Sequence, residues 1–237
     1  MSGDNPSSEN WGLPVAIVLA GAVLAGVVYM NMGGEKMVES GEDNRVQAEV
    51  AGVTMYKMDQ AVQISEDDII IGDTDAPVTL VMFADFECLY CREWFAKDLP
   101  WLEREYLDTG KVKLVYKSFP LSDVHPWAQT ASLTAYCAAQ QGEFLSYARG
   151  VYAAEDLSDE GLNNLALQIG LDVDNFNKCR DSEEAIWQIA GDAHDAVDIG
   201  VTANPTFVIG DKVYVGVLPY DTLKEDIEII LSDTSHE

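Results

Sequence analysis

VTLVMFADFECLYC, residues 78–91, is the most informative part of this sequence for the fold. It opens with Val78–Phe83, an apolar run with β-branched residues that is typical of a buried strand. It closes with Cys88–Cys91 (CLYC), and apolar residues then continue at helical spacing over Arg92–Leu107. The stretch therefore predicts a Cys-x-x-Cys pair at the junction of a buried strand and a helix.

This junction gives the two cysteines a defined chemistry. Cys88 falls at the helix N-terminus, where unpaired N–H groups and the helix dipole favour the thiolate. The thiolate is the species that attacks a disulfide. Cys91 lies one turn further along, within reach to close a disulfide with Cys88 or to resolve a mixed one. The sequence thus indicates a thiol–disulfide redox site.

Two other interpretations of the pair stay open at this point. A zinc site needs two more ligands, but Cys137 and Cys179 are far apart in sequence and the three histidines are scattered. A purely structural Cys88–Cys91 bridge would close a loop too short to stabilise the fold much. We expect neither a metal nor a cofactor.

The elements between the redox pair and residue 200 follow from periodicity. Pro100 is expected to kink the first helix, Thr109-Gly110 to end it, and Lys113–Lys117 to form a second strand. From about Ser122 to Gly200 the sequence contains no convincing strand. The pattern there predicts a block of helices at Trp127–Gln141, Glu143–Ala153, Ser158–Ile169 and Ser182–Ile199.

The C-terminal part predicts a hairpin and a last helix. Strands are expected at Thr206–Ile209 and Val213–Val217, on either side of a turn at Gly210-Asp211. A helix follows at Asp221–Leu231, with Asp221 as its N-cap. One more short strand is expected far upstream, at Thr54–Met58.

The composition excludes one class of partner. The formal net charge is −27, from 41 acidic and 14 basic residues. Such a surface repels nucleic acid, so no nucleic-acid partner is expected. The apolar content of 48% is enough for a real core and excludes wholesale disorder.

The N-terminus predicts a membrane anchor. Residues 11–32 are almost continuously apolar and carry no charge, and as a helix they would extend about 33 Å, enough for a hydrocarbon core of roughly 30 Å. A cleaved signal peptide is the alternative. It fits less well because residues 1–10 contain no Lys or Arg and because the apolar run exceeds a usual h-region. We therefore predict a single-pass signal anchor.

The predicted organisation is a short polar N-terminus (1–10), a transmembrane helix (11–32), a linker (33–68), one α/β domain (69–231) and a tail (232–237). The flanking charges, with Lys36 and Arg45 after the apolar run, do not favour an extracytoplasmic domain. We place the domain outside the cytoplasm because of its cysteines.

Several motifs in this order resemble the DsbA-like branch of the thioredoxin superfamily. The similarity covers roughly Ile69–Leu231. It is carried by Gly72–Thr79 leading into Phe83–Cys91, Phe119-Pro120-Leu121 with His125-Pro126, the Cys137 segment ending at Gln141–Phe144, and Gly200-Val201 followed by Asn204–Gly210.

The resemblance implies a thioredoxin-like fold interrupted by a helical insertion at about 122–200. It also implies a catalytic Cys88, a resolving Cys91, and a cis Pro205 facing them, with Asn204 and Pro205 as substrate-binding residues. The chain departs from the family pattern at Leu89, at Met82, where thioredoxin has a buried acid, and at Asn204, where Thr or Val is common. Asp85 and Glu87 are the nearest acids, and neither is assigned as the proton acceptor of Cys91.

The other two cysteines allow two interpretations. In an oxidising compartment Cys137 and Cys179, on one insertion helix and near the start of another, would form a structural disulfide. That bridge would contribute about 3–4 kcal/mol in the chain-entropy treatment. Otherwise they are buried free thiols that pack as small apolar residues.

The functional prediction is a membrane-anchored dithiol oxidase that transfers a disulfide to reduced extracytoplasmic proteins through a mixed disulfide on Cys88. The family implies reoxidation by a quinone-linked membrane partner of the DsbB or vitamin K epoxide reductase type. A reductase or isomerase using the same residues is the first alternative. A tethered peptide-binding or chaperone-like module, whose cysteines are incidental, is the second.

Overall fold

The computed structural model describes residues 36–38, 47–50, 53–58 and 61–234. The membrane helix predicted over 11–32 and the polar segment before it lie outside these residues. Among the helices that are described, none combines the length and apolar character needed to span a bilayer.

One mixed sheet of eight strands organises the described part of the chain, in the order β1-β2-β3-β8-β7-β5-β6-β4. Only β5 and β6 pair in parallel, and the other neighbours are antiparallel. The strands are β1 Lys36–Val38, β2 Gln47–Val50, β3 Val53–Lys57, β4 Ile69–Gly72, β5 Val78–Ala84, β6 Val112–Ser118, β7 Thr206–Ile209 and β8 Lys212–Val215.

From β5 onward, the elements follow the order that the sequence predicts: strand, helix, strand, helical block, hairpin and helix. The helices are α1 Leu89–Lys97, α2 Leu99–Leu102, a π-helical turn Glu103–Leu107, α3 Ala128–Ala139, α4 Phe144–Ala153, α5 Asp159–Gln168, α6 Val173–Arg180, α7 Glu183–Asp198 and α8 Tyr220–Thr234. The insertion α3–α7 lies between β6 and β7.

Strand β5 is buried on both faces, as its continuous apolar sequence predicts. On one face, Leu80 and Met82 belong to the main core, which also contains Trp94 and Phe95 of α1. On the other face, Val81 and Phe83 pack in a second core. Since α1 follows β5 directly and leads to the parallel strand β6, the cysteine pair lies at the carboxyl end of the central strand.

Three predictions about helices need correction. The helix over Arg92–Leu107 is divided rather than kinked, because α1 ends at Lys97 and Pro100 lies in the first turn of α2. Helix α6 is not predicted, since its polar sequence VDNFNKCR buries only Phe176. Asp221 is not an N-cap, because α8 begins one residue earlier.

The segment 33–68, predicted to be a linker with one short strand, contains two further strands, β1 and β2. Strand β3 covers most of the strand predicted at Thr54–Met58, and its pairing with β8 attaches all three strands to the sheet. Strands β1 and β2 are only three and four residues long, too short for a periodic signal in the sequence.

Candidate active site

Cys88 lies at the N-cap of α1, immediately after the turn that follows β5. Its backbone N–H donates to the carbonyl oxygen of Asp85 at 3.1 Å, which closes this turn. No side chain caps α1, so its first N–H groups are available to the sulfur of Cys88. The local sequence thus places a thiol at the positive end of a helix dipole.

The two thiols of the pair have opposite proton affinities. The pKa of Cys88 is lowered from 9.0 to about 6, first by the hydrogen bond with the Cys91 thiol and, against the effect of burial, by the N–H groups of Cys91 and Tyr90. The pKa of Cys91 is raised well above 9.0, mainly because this side chain is buried. Cys88 is therefore the thiolate at neutral pH, and Cys91 holds a proton behind it.

The loop before β7 faces the cysteine pair. β5 and β7 pair with Phe83 opposite Thr206, and this register brings the preceding residues beside the end of β5. When Cys88 is protonated, its Sγ donates to the carbonyl oxygen of Asn204, and the two atoms are 3.5 Å apart. The Asn204–Pro205 peptide bond is cis, as the resemblance implies.

The Asn204 side chain fastens this loop to the end of β6. Its Nδ2 donates to the carbonyl oxygen of Phe119 at 2.8 Å. Its Oδ1 is buried and has no hydrogen-bond partner within the described residues. Asn204 thus contributes its backbone to the sulfur and its side chain to the loop.

A pair next to the cysteines, buried Asp85 and half-buried His125, could not be recognised from the sequence. The carboxylate of Asp85 is fully buried, and its Oδ2 lies 2.8 Å from Nδ1 of His125. The resemblance included both residues only as parts of motifs. The available signal was an acid between Ala84 and Phe86, at the end of an apolar strand where an unpaired carboxylate is costly.

Exposed apolar side chains lie on the residues around the pair. Leu89 and Tyr90, between the cysteines, are 62% and 57% exposed. Val124 and Trp127 are exposed on the loop after β6, and the N–H of Trp127 donates to Glu87 at 2.6 Å. The cysteine pair is therefore bordered by exposed apolar side chains.

The remaining cysteines form a disulfide, in agreement with the first of the two interpretations. The sulfurs of Cys137 and Cys179 are 2.05 Å apart, and the bridge joins α3 to α6. Cys179 lies near the C-terminal end of α6, not near the start of a helix as predicted. Within the described ranges, no three His, Cys, Asp or Glu side chains are grouped as metal ligands.

A central parallel strand pair, a Cys-x-x-Cys at the start of the following helix and a facing cis proline define a thioredoxin-fold protein with a dithiol site. A sequence profile described as thioredoxin matches residues 64–228. The chain belongs to the thioredoxin family, and its helical insertion gives it the DsbA-like form of the fold.

Individual proteins agree with this assignment. The oxidised BdbD of Bacillus subtilis superposes with a TM-score of 0.66 at 22% identity, over 74% of this chain and 99% of that one, which shows the fold. A Bacillus anthracis protein named probable disulfide bond formation protein D is 28% identical over 166 residues, covering 67% of this chain and 76% of its own length.

A further relative carries a different name. The Na(+)/H(+) antiporter NhaA 3 of Salinispora tropica is 35% identical over 167 residues, which cover 69% of this chain. The match spans 24% of the antiporter-named protein, so the similarity concerns a minor part of it.

Proposed function

We propose that this protein is an extracytoplasmic dithiol oxidase that introduces disulfides into reduced proteins. One observation carries the proposal: Cys88 lies at the start of α1, where the N-terminal N–H groups favour its thiolate, beside the Asn204 carbonyl, and Cys91 is buried behind it. A stabilised Cys88 thiolate favours the reduced form of the pair, and a pair whose reduced form is stabilised is a strong oxidant.

The reaction proceeds from the oxidised pair. A thiolate of the client attacks the sulfur of Cys88, the Cys88–Cys91 bond breaks, and Cys91 leaves and takes up a proton. The second client thiolate then attacks the client sulfur of the mixed disulfide. Cys88 leaves as a thiolate, its low pKa makes it a good leaving group, and the client carries the new disulfide.

The first prediction tests the direction of electron flow. Equilibration of the Cys88–Cys91 couple with glutathione is expected to give a reduction potential nearer to that of an oxidase, about −120 mV, than to that of thioredoxin, about −270 mV. The measurement is the redox equilibrium followed by mass spectrometry after alkylation. A potential at or below the thioredoxin value contradicts the oxidase and favours the reductase.

The second prediction tests the assignment of the sulfurs. Cys91→Ser is expected to accumulate a mixed disulfide when it is mixed with a client that carries a disulfide: the Cys88 thiolate attacks one client sulfur, the client disulfide breaks, and the other client sulfur leaves as a thiolate. The adduct persists because the resolving thiol of Cys91 is missing. Cys88→Ser is the matched control and is expected to form no such adduct. If Cys88→Ser has the same effect on client proteins as the parent, although it can no longer exchange disulfides, the protein is a tethered binding module and the enzymatic proposal is wrong.

The proposal includes the cellular setting. The apolar segment 11–32 would anchor the domain to a membrane, and the Cys137–Cys179 disulfide suits an oxidising compartment. A quinone-linked membrane protein of the DsbB or vitamin K epoxide reductase type would reoxidise the pair. The test is to treat intact cells that contain the full-length protein with a membrane-impermeant thiol reagent. If the domain is outside the cytoplasm, the reagent must modify Cys88.

A further inference from the structure

A buried carboxylate forms part of the turn that carries Cys88. Asp85 Oδ1 accepts the N–H of Glu87 at 2.8 Å, and its Oδ2 accepts the N–H of Leu121 at 2.8 Å. Oδ2 also contacts Nδ1 of His125 at 2.8 Å. Asp85 therefore connects the turn before α1 with the loop after β6.

This carboxylate acts against the ionisation of both thiols. The pKa of Cys88 is lowered mainly by its hydrogen bond with Cys91, but the charge of Asp85 raises it in part. The pKa of Cys91 is raised mainly by burial, and the charge of Asp85 adds to that increase. A positive charge beside Asp85 would offset this effect and favour the Cys88 thiolate.

His125 is placed to supply that charge. Its side chain is 27% exposed, so the ring reaches water while its Nδ1 contacts Asp85. Burial lowers the pKa of His125, but the hydrogen bond and charge of Asp85, together with the charges of Glu87 and Cys88, raise it overall. Asp85 has the largest effect of these three anionic groups on the imidazole.

We propose that His125 is a positioning residue of the dithiol site, whose imidazolium pairs with the buried carboxylate of Asp85 and offsets the negative charge beside Cys88. Protonated His125 favours the Cys88 thiolate, and its deprotonation exposes Cys88 to the uncompensated charge of Asp85. The proposal rests on Cys88 as the reactive sulfur and is independent of the direction of electron flow.

The test uses His125→Asn in the full chain. The Asn amide can still donate to Asp85 but carries no charge, so the variant removes the charge and keeps the hydrogen bond. We expect the pKa of Cys88, followed by the ultraviolet absorbance of the thiolate, to rise by about half a unit to one unit. The thiolate fraction at pH 6 then falls about two- to fivefold, and the reduction potential becomes more negative.

Asp85→Asn is the second variant and has the opposite expected sign. Removing the carboxylate charge is expected to lower the pKa of Cys88, whereas general damage to the site would shift both variants the same way. His194→Asn is the matched control, because His194 forms a similar His–Asp pair with Asp198, at 3.2 Å on the exposed surface of α7. It is expected to leave the Cys88 titration unchanged.

Three outcomes overturn the proposal: an unchanged Cys88 titration in folded His125→Asn, shifts of the same sign in the His125 and Asp85 variants, or an equal shift in His194→Asn. Failure of the proposed function gives a different result. In that case, the parent protein still has a Cys88–Cys91 couple, but its reduction potential lies at or below the thioredoxin value of about −270 mV, and the opposite shifts of the His125 and Asp85 variants are unaffected.

Discussion

Asn204 shows how one side chain can support a site without touching the reacting atoms. Its carbonyl faces Cys88, and its amide donates to the carbonyl oxygen of Phe119. Asn204→Ala is expected to lower the free energy of unfolding by about 1 kcal/mol, since the Phe119 carbonyl loses its partner. The loss is limited because the variant also removes the unpaired Oδ1.

Asn204→Ala is expected to leave the pKa of Cys88 at about 6, because the backbone carbonyl of residue 204, not its side chain, contacts the sulfur. Urea denaturation measures the first effect and thiolate absorbance the second. A large shift in the thiol titration without a loss of stability would mean that the side chain, not the main chain, tunes the sulfur.

A Gly→Ala substitution is expected to have opposite effects on stability in two helices of the insertion. A Cβ on Gly161, in the first turn of α5, would lie 2.4 Å from the backbone oxygen of Asp156. Gly161→Ala is therefore expected to destabilise the protein by about 1–3 kcal/mol, although Ala is the better helix former. A Cβ on Gly191 in α7 would meet nothing within 4 Å.

Gly191→Ala is thus the matched control and is expected to stabilise the protein by about 0.5–1 kcal/mol, since it removes conformational freedom from the unfolded chain. Thermal unfolding of the two variants separates packing from propensity. Equal shifts of the melting temperature in both variants would show that the backbone oxygen of Asp156 does not lie against Gly161.

A buried ion cluster joins three parts of the protein. Nζ of Lys117, in β6, lies 2.8 Å from Asp68 before β4, and 3.3 Å and 2.9 Å from Asp192 and Asp195 on α7. Asp192 also accepts the N–H of Ser118 at 2.8 Å. Burial raises the pKa of Asp192 from 3.8 to about 7, despite the favourable charge of Lys117.

This raised pKa predicts a pH-dependent stability. Between about pH 4 and pH 7 the folded protein keeps a proton on Asp192 that the unfolded chain releases, so this contribution is present below pH 4 and is lost as the pH rises through 7. The free energy of unfolding of the parent is therefore expected to fall relative to that of Asp192→Asn across this range, by an amount on the order of a few kcal/mol.

Denaturant titrations at several pH values check this difference. Asp198→Asn is the control, because Asp198 lies on the same helix and its carboxylate is exposed. The free energy of unfolding of this variant should depend on pH as that of the parent does. A pH-independent difference between the parent and Asp192→Asn would show that Asp192 does not exchange its proton on unfolding.

The redox pair and the order of the elements around it could be predicted from the sequence. A buried strand, a Cys-x-x-Cys and a helix are recognisable locally, because apolar spacing and helix-end chemistry depend on near neighbours. The helical block and the β7–β8 hairpin that follows it were predictable for the same reason. Strands β1 and β2 and helix α6 were not, because short or polar segments are stabilised by their neighbours in space.

Tertiary structure alone decided what surrounds the sulfur. Asn204 reaches Cys88 across 116 residues through the pairing of β5 with β7, and His125 reaches Asp85 across 40 through the loop after β6. No local sequence pattern predicts these two contacts, since they depend on strand register and on the path of a loop. The sequence therefore identified the thiols, and the packed fold determined which charges and carbonyls act on them.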